Sequence, residues 1–289
     1  MLEKIARNTL ERAARNQGSA GSVMRTDALA SADPPKKPEQ CKFCGGSGWR
    51  KISRGRDLQV ARCECREMAR GDYLVSNARI PTRYRDKNLL NFTVDGSQEL
   101  LQGARLTARA FVEKYPVDCE GLLITGPSGT GKTHLAVGII KELMLQKGIA
   151  CLFLDYAELL SEIRNSYSAS LGAGEAELLR PVYQTDVLVL DDLGTSRSTE
   201  WVGEIVSLIL NKRYSESRTT LITTNFLDGP SKGAEQKPTE GSEQSQKASQ
   251  AMRQDTLGDR IGDRMLSRIH EMCRIIAIPP GTEDYRTKA

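Results

Sequence analysis

The segment GPSGTGKT, residues 126–133, constrains the fold of this chain more than any other. It follows an apolar run, GLLIT, and precedes a helix-length stretch, KTHLAVGIIKELMLQKG, which predicts a loop between a strand and a helix. The glycines let backbone N–H groups surround a phosphate, Lys132 supplies a cation, and the Thr133 hydroxyl is a ligand for Mg²⁺. The residues predicted to bind a nucleotide are Gly126, Pro127, Ser128, Gly129, Thr130, Gly131, Lys132 and Thr133.

Four further apolar runs follow the loop, at residues 150–155, 186–192, 219–225 and 273–278, with helix-length segments between them. Near-continuous apolar strands separated by helices predict an α/β fold, in which a parallel five-stranded sheet is covered by helices on both faces. This domain is predicted to span 121–289, with a disordered insertion at about 228–255 that contains no apolar cluster. A linker and a lead-in helix near 96–114 are predicted within 71–120.

Polar side chains end two of the predicted strands. The run VLVLDD ends in Asp191 and Asp192, and the run LITTN ends in Asn225. At the carboxyl edge of the sheet, Asp191 is predicted to hold the Mg²⁺ shell and Asp192 to polarise an attacking water. The alternative is that the two carboxylates merely cap the strand. The amide of Asn225 is predicted to reach the terminal phosphate and the water.

An arginine series lies in the segment LGDRIGDRMLSRIHEM. Arg260, Arg264 and Arg268 recur every four residues, which predicts one stripe on a helix near 257–270. A solvated face flanked by Asp259 and Asp263 is one interpretation. The other is an arginine finger that completes the nucleotide site of a neighbouring subunit.

Four of the seven cysteines lie close together near the N-terminus, with spacings Cys41-x-x-Cys44 and Cys63-x-Cys65. Two cysteine pairs that flank a predicted hairpin indicate a structural zinc site, in a small zinc-ribbon-like module at 38–70. Four thiolates fill the coordination sphere, so this zinc is not catalytic and the module is predicted to bind a partner. The sequence leaves open whether that partner is a protein or nucleic acid.

The segments GPSGTGKTHLA, VLVLDDLG, NKRY, LITTN and GDRMLSRI, in this order, resemble the DnaC/DnaI/IstB branch of the AAA+ ATPases. The resemblance extends from about residue 80, through the lead-in IPTRYRDKNLLNF, to the tail segment DYR at 284–286. It implies a P-loop AAA+ sheet that binds ATP and Mg²⁺ and hydrolyses ATP weakly. It also implies that Asn225 is the first sensor and that Arg264 or Arg268, with Arg268 favoured, is the arginine finger.

The same resemblance implies functions and partners. The favoured function is loading of the replicative hexameric helicase onto single-stranded or duplex DNA, with ATP-dependent self-assembly and with the zinc module docking on the helicase. An IstB-like transposition accessory ATPase and a non-hydrolysing, ATP-bound adaptor are the alternatives. Many AAA+ proteins have glutamate where this chain has Asp192, so the shorter side chain predicts slow turnover, which suits a switch.

The composition of the chain bears on its partners and on its location. Aromatic residues make up only 5% of the chain and the net charge is +4, so neither property by itself indicates a nucleic-acid partner. No apolar run approaches the ~20 residues that a membrane span requires, and a cytoplasmic protein with no membrane contact is expected. Residues 1–37 are predicted to form an amphipathic helix and a flexible linker.

Overall fold

The computed structural model of the chain describes residues 41–54, 57–92, 99–168, 175–196, 199–231, 255–279, 282 and 284. The predicted N-terminal helix and linker lie outside these residues, as does most of the predicted insertion. The two ends of the insertion are described, and there the Thr256 hydroxyl donates a hydrogen bond to the carbonyl of Pro230 at 2.8 Å.

The main sheet has five parallel strands in the order β4-β5-β6-β3-β7, which confirms the predicted fold. The strands are β3 (Gly121–Thr125), β4 (Cys151–Asp155), β5 (Val187–Asp191), β6 (Thr219–Thr224) and β7 (Cys273–Ala277). Because β3 lies between β6 and β7, the loop that follows it emerges beside the carboxyl end of β6, with the end of β5 one strand further along. A separate antiparallel hairpin is formed by β1 (Trp49–Arg54) and β2 (Asp57–Arg62).

Helices cover both faces of the main sheet. They are α1 (Glu64–Asn77), α2 (Glu99–Lys114), α3 (Lys132–Lys147), α4 (Tyr156–Ser168), α5 (Glu175–Gln184), α6 (Glu200–Ser215), α7 (Leu257–Ile261) and α8 (Asp263–Met272). Side chains alternate along a strand, so Leu122 and Ile124 of β3 pack in one apolar cluster with α1, α2 and α3. Leu123 packs in the other cluster, with α4 to α8.

Helix α1 connects the cysteine module to the domain that contains the five-stranded sheet. It begins directly after Cys63 and runs without a break past residue 70, the predicted end of the module. Its second half packs on α3, where a Cβ built on Gly71 would lie 3.0 Å from the Leu145 Cα atom. Leu74 is buried in the main core. The chain after residue 70 is therefore part of the core.

The predicted single helix near 257–270 is wrong, because the chain is interrupted at Gly262. Gly262 has φ 84° and ψ 148°, and it separates α7 from α8. The interruption removes Arg260 from the predicted arginine stripe, since only Arg264 and Arg268 share helix α8. Positive φ at this position suits glycine, which lacks a Cβ.

Arg213 of α6 is fully buried and joins several elements. Its guanidinium donates hydrogen bonds to the carbonyls of Val182, at 2.7 Å, and Thr185, at 3.1 Å, near the end of α5. It also donates to the Thr219 carbonyl and to the Thr220 hydroxyl of β6. Burial lowers the pKa of Arg213 to about 9. Arg213 lies in the segment NKRY, whose pattern alone does not indicate this structural role.

Candidate nucleotide site and cysteine cluster

The phosphate-binding loop lies between β3 and α3, and three of its glycines have positive φ angles. These are Gly126 at 150°, Gly129 at 77° and Gly131 at 91°. A Cβ built on Gly131 would lie 2.9 Å from the Phe92 ring, so a side chain there has no room. The loop ends where α3 begins, so the positive end of the helix dipole points at the loop. This backbone shape fits the phosphates of a nucleotide.

Lys132 lies at the start of α3 and folds back over the loop. Its Nζ atom donates hydrogen bonds to the carbonyls of Gly126, at 2.9 Å, and Pro127, at 2.6 Å. The Asp284 carboxylate lies against the same loop, where its Oδ1 atom would be 1.9 Å from a Cβ built on Gly129. Lys132 is thus buried against the loop, with its ammonium group on the loop backbone.

Thr133 and Asp191 are in direct contact, which places both side chains within reach of one Mg²⁺ ion. The Thr133 hydroxyl lies 3.0 and 3.1 Å from the two carboxylate oxygens of Asp191. The Thr223 hydroxyl donates a hydrogen bond of 2.6 Å to Asp191 Oδ1. A hydroxyl and a carboxylate are oxygen ligands of the kind that Mg²⁺ prefers. The donor set therefore fits this ion.

Thr223 also positions the neighbouring carboxylate. Its Oγ1 atom accepts a 2.9 Å hydrogen bond from the Asp192 N–H, and Asp192 has a positive φ of 56°. Asn225 Nδ2 donates to Asp192 Oδ1 at 3.1 Å. The structure therefore brings Asp191, Asp192 and Asn225 together at one edge of the sheet. Thr223, two residues before Asn225 in the segment LITTN, was not among the residues predicted from the sequence.

Burial raises the pKa of Asp191 to about 6, although the hydrogen bond from Thr223 opposes the rise. An acid whose pKa is higher in the folded state binds more protons when folded, so it stabilises the fold less as the pH rises from about 4 to about 6. Above that window the buried charge is a constant cost to stability. Metal binding needs the ionised form, so affinity for Mg²⁺ should fall below a pH of about 6.

Asp191→Asn removes the buried charge while keeping the side-chain size. We expect the free energy of unfolding at pH 7 to rise by about 1–3 kcal/mol, and its decline between pH 4 and 6 to shrink. Urea unfolding across this pH range, without nucleotide or Mg²⁺, measures the effect. A loss of stability at pH 7 would contradict the assigned cost of the Asp191 charge.

The three arginines are placed differently. Arg260 lies with its guanidinium 4.6 Å from the centroid of the Phe226 ring, and Arg268 lies 5.0 Å from that of Tyr214. Arg264 is exposed and forms no hydrogen bond or ion pair within the described part of the chain. Arg264 and Arg268 are thus on one helix, as predicted, with only Arg268 covering an aromatic ring.

The four cysteines of the predicted zinc site lie together. All four Sγ atoms are within 4.8 Å of one another, with Cys41 and Cys63 at 3.7 Å and Cys44 and Cys65 at 3.5 Å. A tetrahedral zinc with Zn–S bonds of about 2.3 Å separates its sulfurs by about 3.8 Å. The cluster therefore fits a structural zinc ion.

Backbone amides support thiolate formation in this cluster. Desolvation works against ionisation of Cys44, but the Gly48 N–H, which donates to its Sγ at 3.3 Å, and the neighbouring thiols lower its pKa to about 6. Desolvation and the neighbouring thiols raise the pKa of Cys65. The Gly48 amide, in the glycine-rich turn, therefore favours the thiolate form of Cys44.

Comparison with protein families matches residues 60–229 to the IstB-like ATP binding proteins. The match covers more than half of the chain. The chain belongs to this family. The resemblance drawn from the sequence segments is confirmed, and the matched range includes the phosphate-binding loop, Asp191 and Asn225.

Relatives of this family member include replication proteins. The replicative helicase loader DnaC of Escherichia coli strain K12 is 32% identical over 118 residues, which are 41% of this chain and 47% of that protein. The chain thus spans about half the length of the DnaC relatives. The phage-like element PBSX protein XkdC of Bacillus subtilis is 27% identical over 197 residues, 65% of this chain and 71% of that protein.

Solved structures give the same assignment. The crystal structure of the DnaC helicase loader matches with a TM-score of 0.53 and 30% identity, over 69% of this chain and 100% of that chain. The crystal structure of DnaI, at 24% identity and a TM-score of 0.50 over 71% of this chain and 94% of that chain, shares the fold. In the described residues, no helix has the length and apolar character needed to cross a membrane.

Proposed function

We propose that this chain is an ATP-controlled helicase loader that acts in DNA replication, with slow ATP hydrolysis as its switch. The observation that carries the proposal is the match to the DnaC helicase loader structure at 30% identity over all of that chain. The nucleotide site supports it, because the loop, Thr133, Asp191 and Asn225 are assembled in one place.

The proposed site divides its tasks among named residues. The backbone amides of the loop and Lys132 would hold the phosphates of ATP, and Thr133 and Asp191 would hold Mg²⁺. When bound, the metal neutralises phosphate charge. Asp192 would accept a proton from the attacking water, with its carboxylate oriented by the amide of Asn225. Its short side chain limits its reach, which favours slow turnover.

The site is proposed to be completed by Arg268 of a neighbouring copy. We expect Arg268→Ala to lower ATP hydrolysis by at least about 100-fold, since arginine fingers contribute about 10³–10⁵-fold to phosphoryl transfer. Arg264→Ala, one helical turn away, is the matched control. Steady-state phosphate release at saturating ATP measures both variants. A larger loss for Arg264→Ala would assign the finger to that residue.

Mixing variants tests whether the arginine acts between copies. Arg268→Ala retains Asp192, and Asp192→Asn retains Arg268, so mixed assemblies contain some intact sites. Activity of the mixture above that of either variant alone is expected. An inactive mixture, in assemblies shown to contain both variants, would refute completion of the site by a second copy.

Zinc is proposed to hold the cysteine module together for partner docking. Replacing Cys41 and Cys44 by Ser should remove bound zinc and abolish docking on the helicase, while ATP affinity changes by less than about three-fold, since the phosphate site lies elsewhere. Metal content, helicase pull-down and titration with a fluorescent ATP analogue measure the three properties. Cys119→Ser, outside the cluster, is the control. Loss of ATP binding together with zinc would show that the two parts are not independent.

A transposition accessory ATPase is the second candidate, and the family match to IstB-like proteins favours it. The loader and the transposition accessory ATPase differ in the process that ATP promotes. A loader should deposit the host's replicative helicase on circular single-stranded DNA, scored by unwinding of an annealed strand. Stimulation by wild-type protein, lost in Lys132→Ala, is expected. No stimulation, with ATP-driven assembly of the chain alone on DNA, would favour the transposition function.

A further inference from the structure

The β1–β2 hairpin presents one exposed face. Trp49 pairs with Arg62 and Lys51 with Val60, so these four side chains project on the same side of the hairpin. All four are exposed, with Trp49 at 45% and Val60 at 65%. On the opposite side, Arg50 is half-buried and forms a 3.0 Å ion pair with Glu64. The hairpin therefore has one side that is partly covered and an open side that faces solvent.

Helix α1 adds a third cation to the open side. The Arg66 guanidinium lies 5.8 Å from the centroid of the Trp49 ring. Its side chain also passes Gly48, where a Cβ would be 3.7 Å from Arg66 Cδ. A cation beside an indole holds the ring in place while leaving part of it open to solvent. We name Trp49, Lys51, Val60, Arg62 and Arg66 the hairpin face.

The charge of the hairpin face has one sign. It carries three cations, and none of the hairpin residues whose side chains the structure describes is acidic. The centre of a protein–protein interface is usually depleted of charge and of lysine in particular. Here the cations outnumber the two apolar side chains. The combination of an open indole with surrounding cations is instead typical of surfaces that bind single-stranded nucleic acid.

We propose that the hairpin face binds single-stranded nucleic acid, with an unpaired base stacked on Trp49 and adjacent phosphates contacted by Lys51 and Arg62. The strand must be single because the faces of a base inside a duplex are already covered by its stacked neighbours. The inference goes beyond the proposed loader function, since it requires neither ATP nor a helicase.

Fluorescence of Trp49 tests the contact directly. The chain has two tryptophans, so Trp201→Phe leaves Trp49 as the single indole reporter. The zinc-loaded, nucleotide-free full chain is titrated with oligothymidylate. Quenching of Trp49 at saturation is expected, whereas a duplex of the same length should leave the signal unchanged. Unchanged fluorescence at a concentration where anisotropy shows bound oligothymidylate would overturn the proposal, and so would equal quenching by the duplex.

Two adjacent residues provide a matched pair of variants. Val60→Glu places a carboxylate on the hairpin face, and Gln59→Glu places the same charge on the opposite side. We expect Val60→Glu and Trp49→Ala each to weaken oligothymidylate binding about 5- to 100-fold, and Gln59→Glu to leave it within about two-fold. Anisotropy of a labelled oligonucleotide at several salt concentrations measures this.

Zinc content and ATP affinity, both unchanged, show that the variants are folded. Equal effects of Val60→Glu and Gln59→Glu on oligonucleotide binding would overturn the proposal. So would a Val60→Glu variant that binds oligothymidylate normally but no longer captures the purified replicative helicase, since the face would then be a protein-docking surface. Neither result would bear on ATP hydrolysis, which tests the loader proposal separately.

Discussion

Asp192→Asn should lower the rate of ATP hydrolysis by at least about 100-fold, because general base catalysis contributes about 10²–10⁴-fold to such reactions. The substitution keeps the size of the side chain and an oxygen that can accept the hydrogen bond from Asn225. ATP affinity should change by less than about two-fold, since the loop and Asp191, which would hold the phosphates and metal, are untouched. Phosphate release and nucleotide titration measure the two effects separately.

Asp155→Asn is the matched control. Asp155 ends β4 and pairs in register with Asp191 of β5, but its carboxylate accepts a local hydrogen bond from the Glu158 N–H at 3.0 Å. This variant should hydrolyse ATP at close to the wild-type rate. If Asp192→Asn and wild type were equally active, Asp192 would not be the base. If neither hydrolysed ATP at all, the non-hydrolysing adaptor would be the better description.

Arg213→Met should reduce the free energy of unfolding by more than about 3 kcal/mol, because it leaves several buried carbonyls without donors. Methionine has a similar length, so the lost hydrogen bonds dominate the effect. Lys212→Met, at the next position, is the control. Lys212 is exposed and, among the residues that the structure describes, pairs only with Glu216, so its removal should cost less than about 1 kcal/mol.

Urea unfolding of both variants gives the difference in their free energies of unfolding. The comparison requires that the free energy of unfolding fall with urea concentration at the same slope in both. Arg213 connects the end of α5 to the start of β6 through its hydrogen bonds. Similar stabilities for Arg213→Met and Lys212→Met would contradict the assigned role of the buried guanidinium.

The sequence was sufficient for features that depend on local pattern. Buried parallel strands are rich in apolar and β-branched residues, so the five strands could be located, and Asp191 and Asn225 could be placed at the carboxyl edge of the sheet. The cysteine spacing likewise predicted the cluster that the structure shows. The strand inferences needed only the apolar pattern and the direction of the strands, and the cluster inference needed only the cysteine spacing.

Features that depend on tertiary contacts were not predictable. The arginine spacing implied one helix, but Gly262 lets the chain turn so that Arg260 lies over Phe226. Thr223 became important only because β5 and β6 are neighbours, which brings its hydroxyl to Asp191. The exposed face of the hairpin depends on the strand register and on Arg66, which comes from a different element.

The most direct test of the loader proposal is native mass spectrometry of the zinc-loaded chain with the host's replicative helicase, with and without ATP. We expect a defined complex whose abundance changes with ATP and which disappears when Cys41 is replaced by Ser. Absence of any complex under both conditions, with the chain shown to bind ATP and zinc, would contradict it.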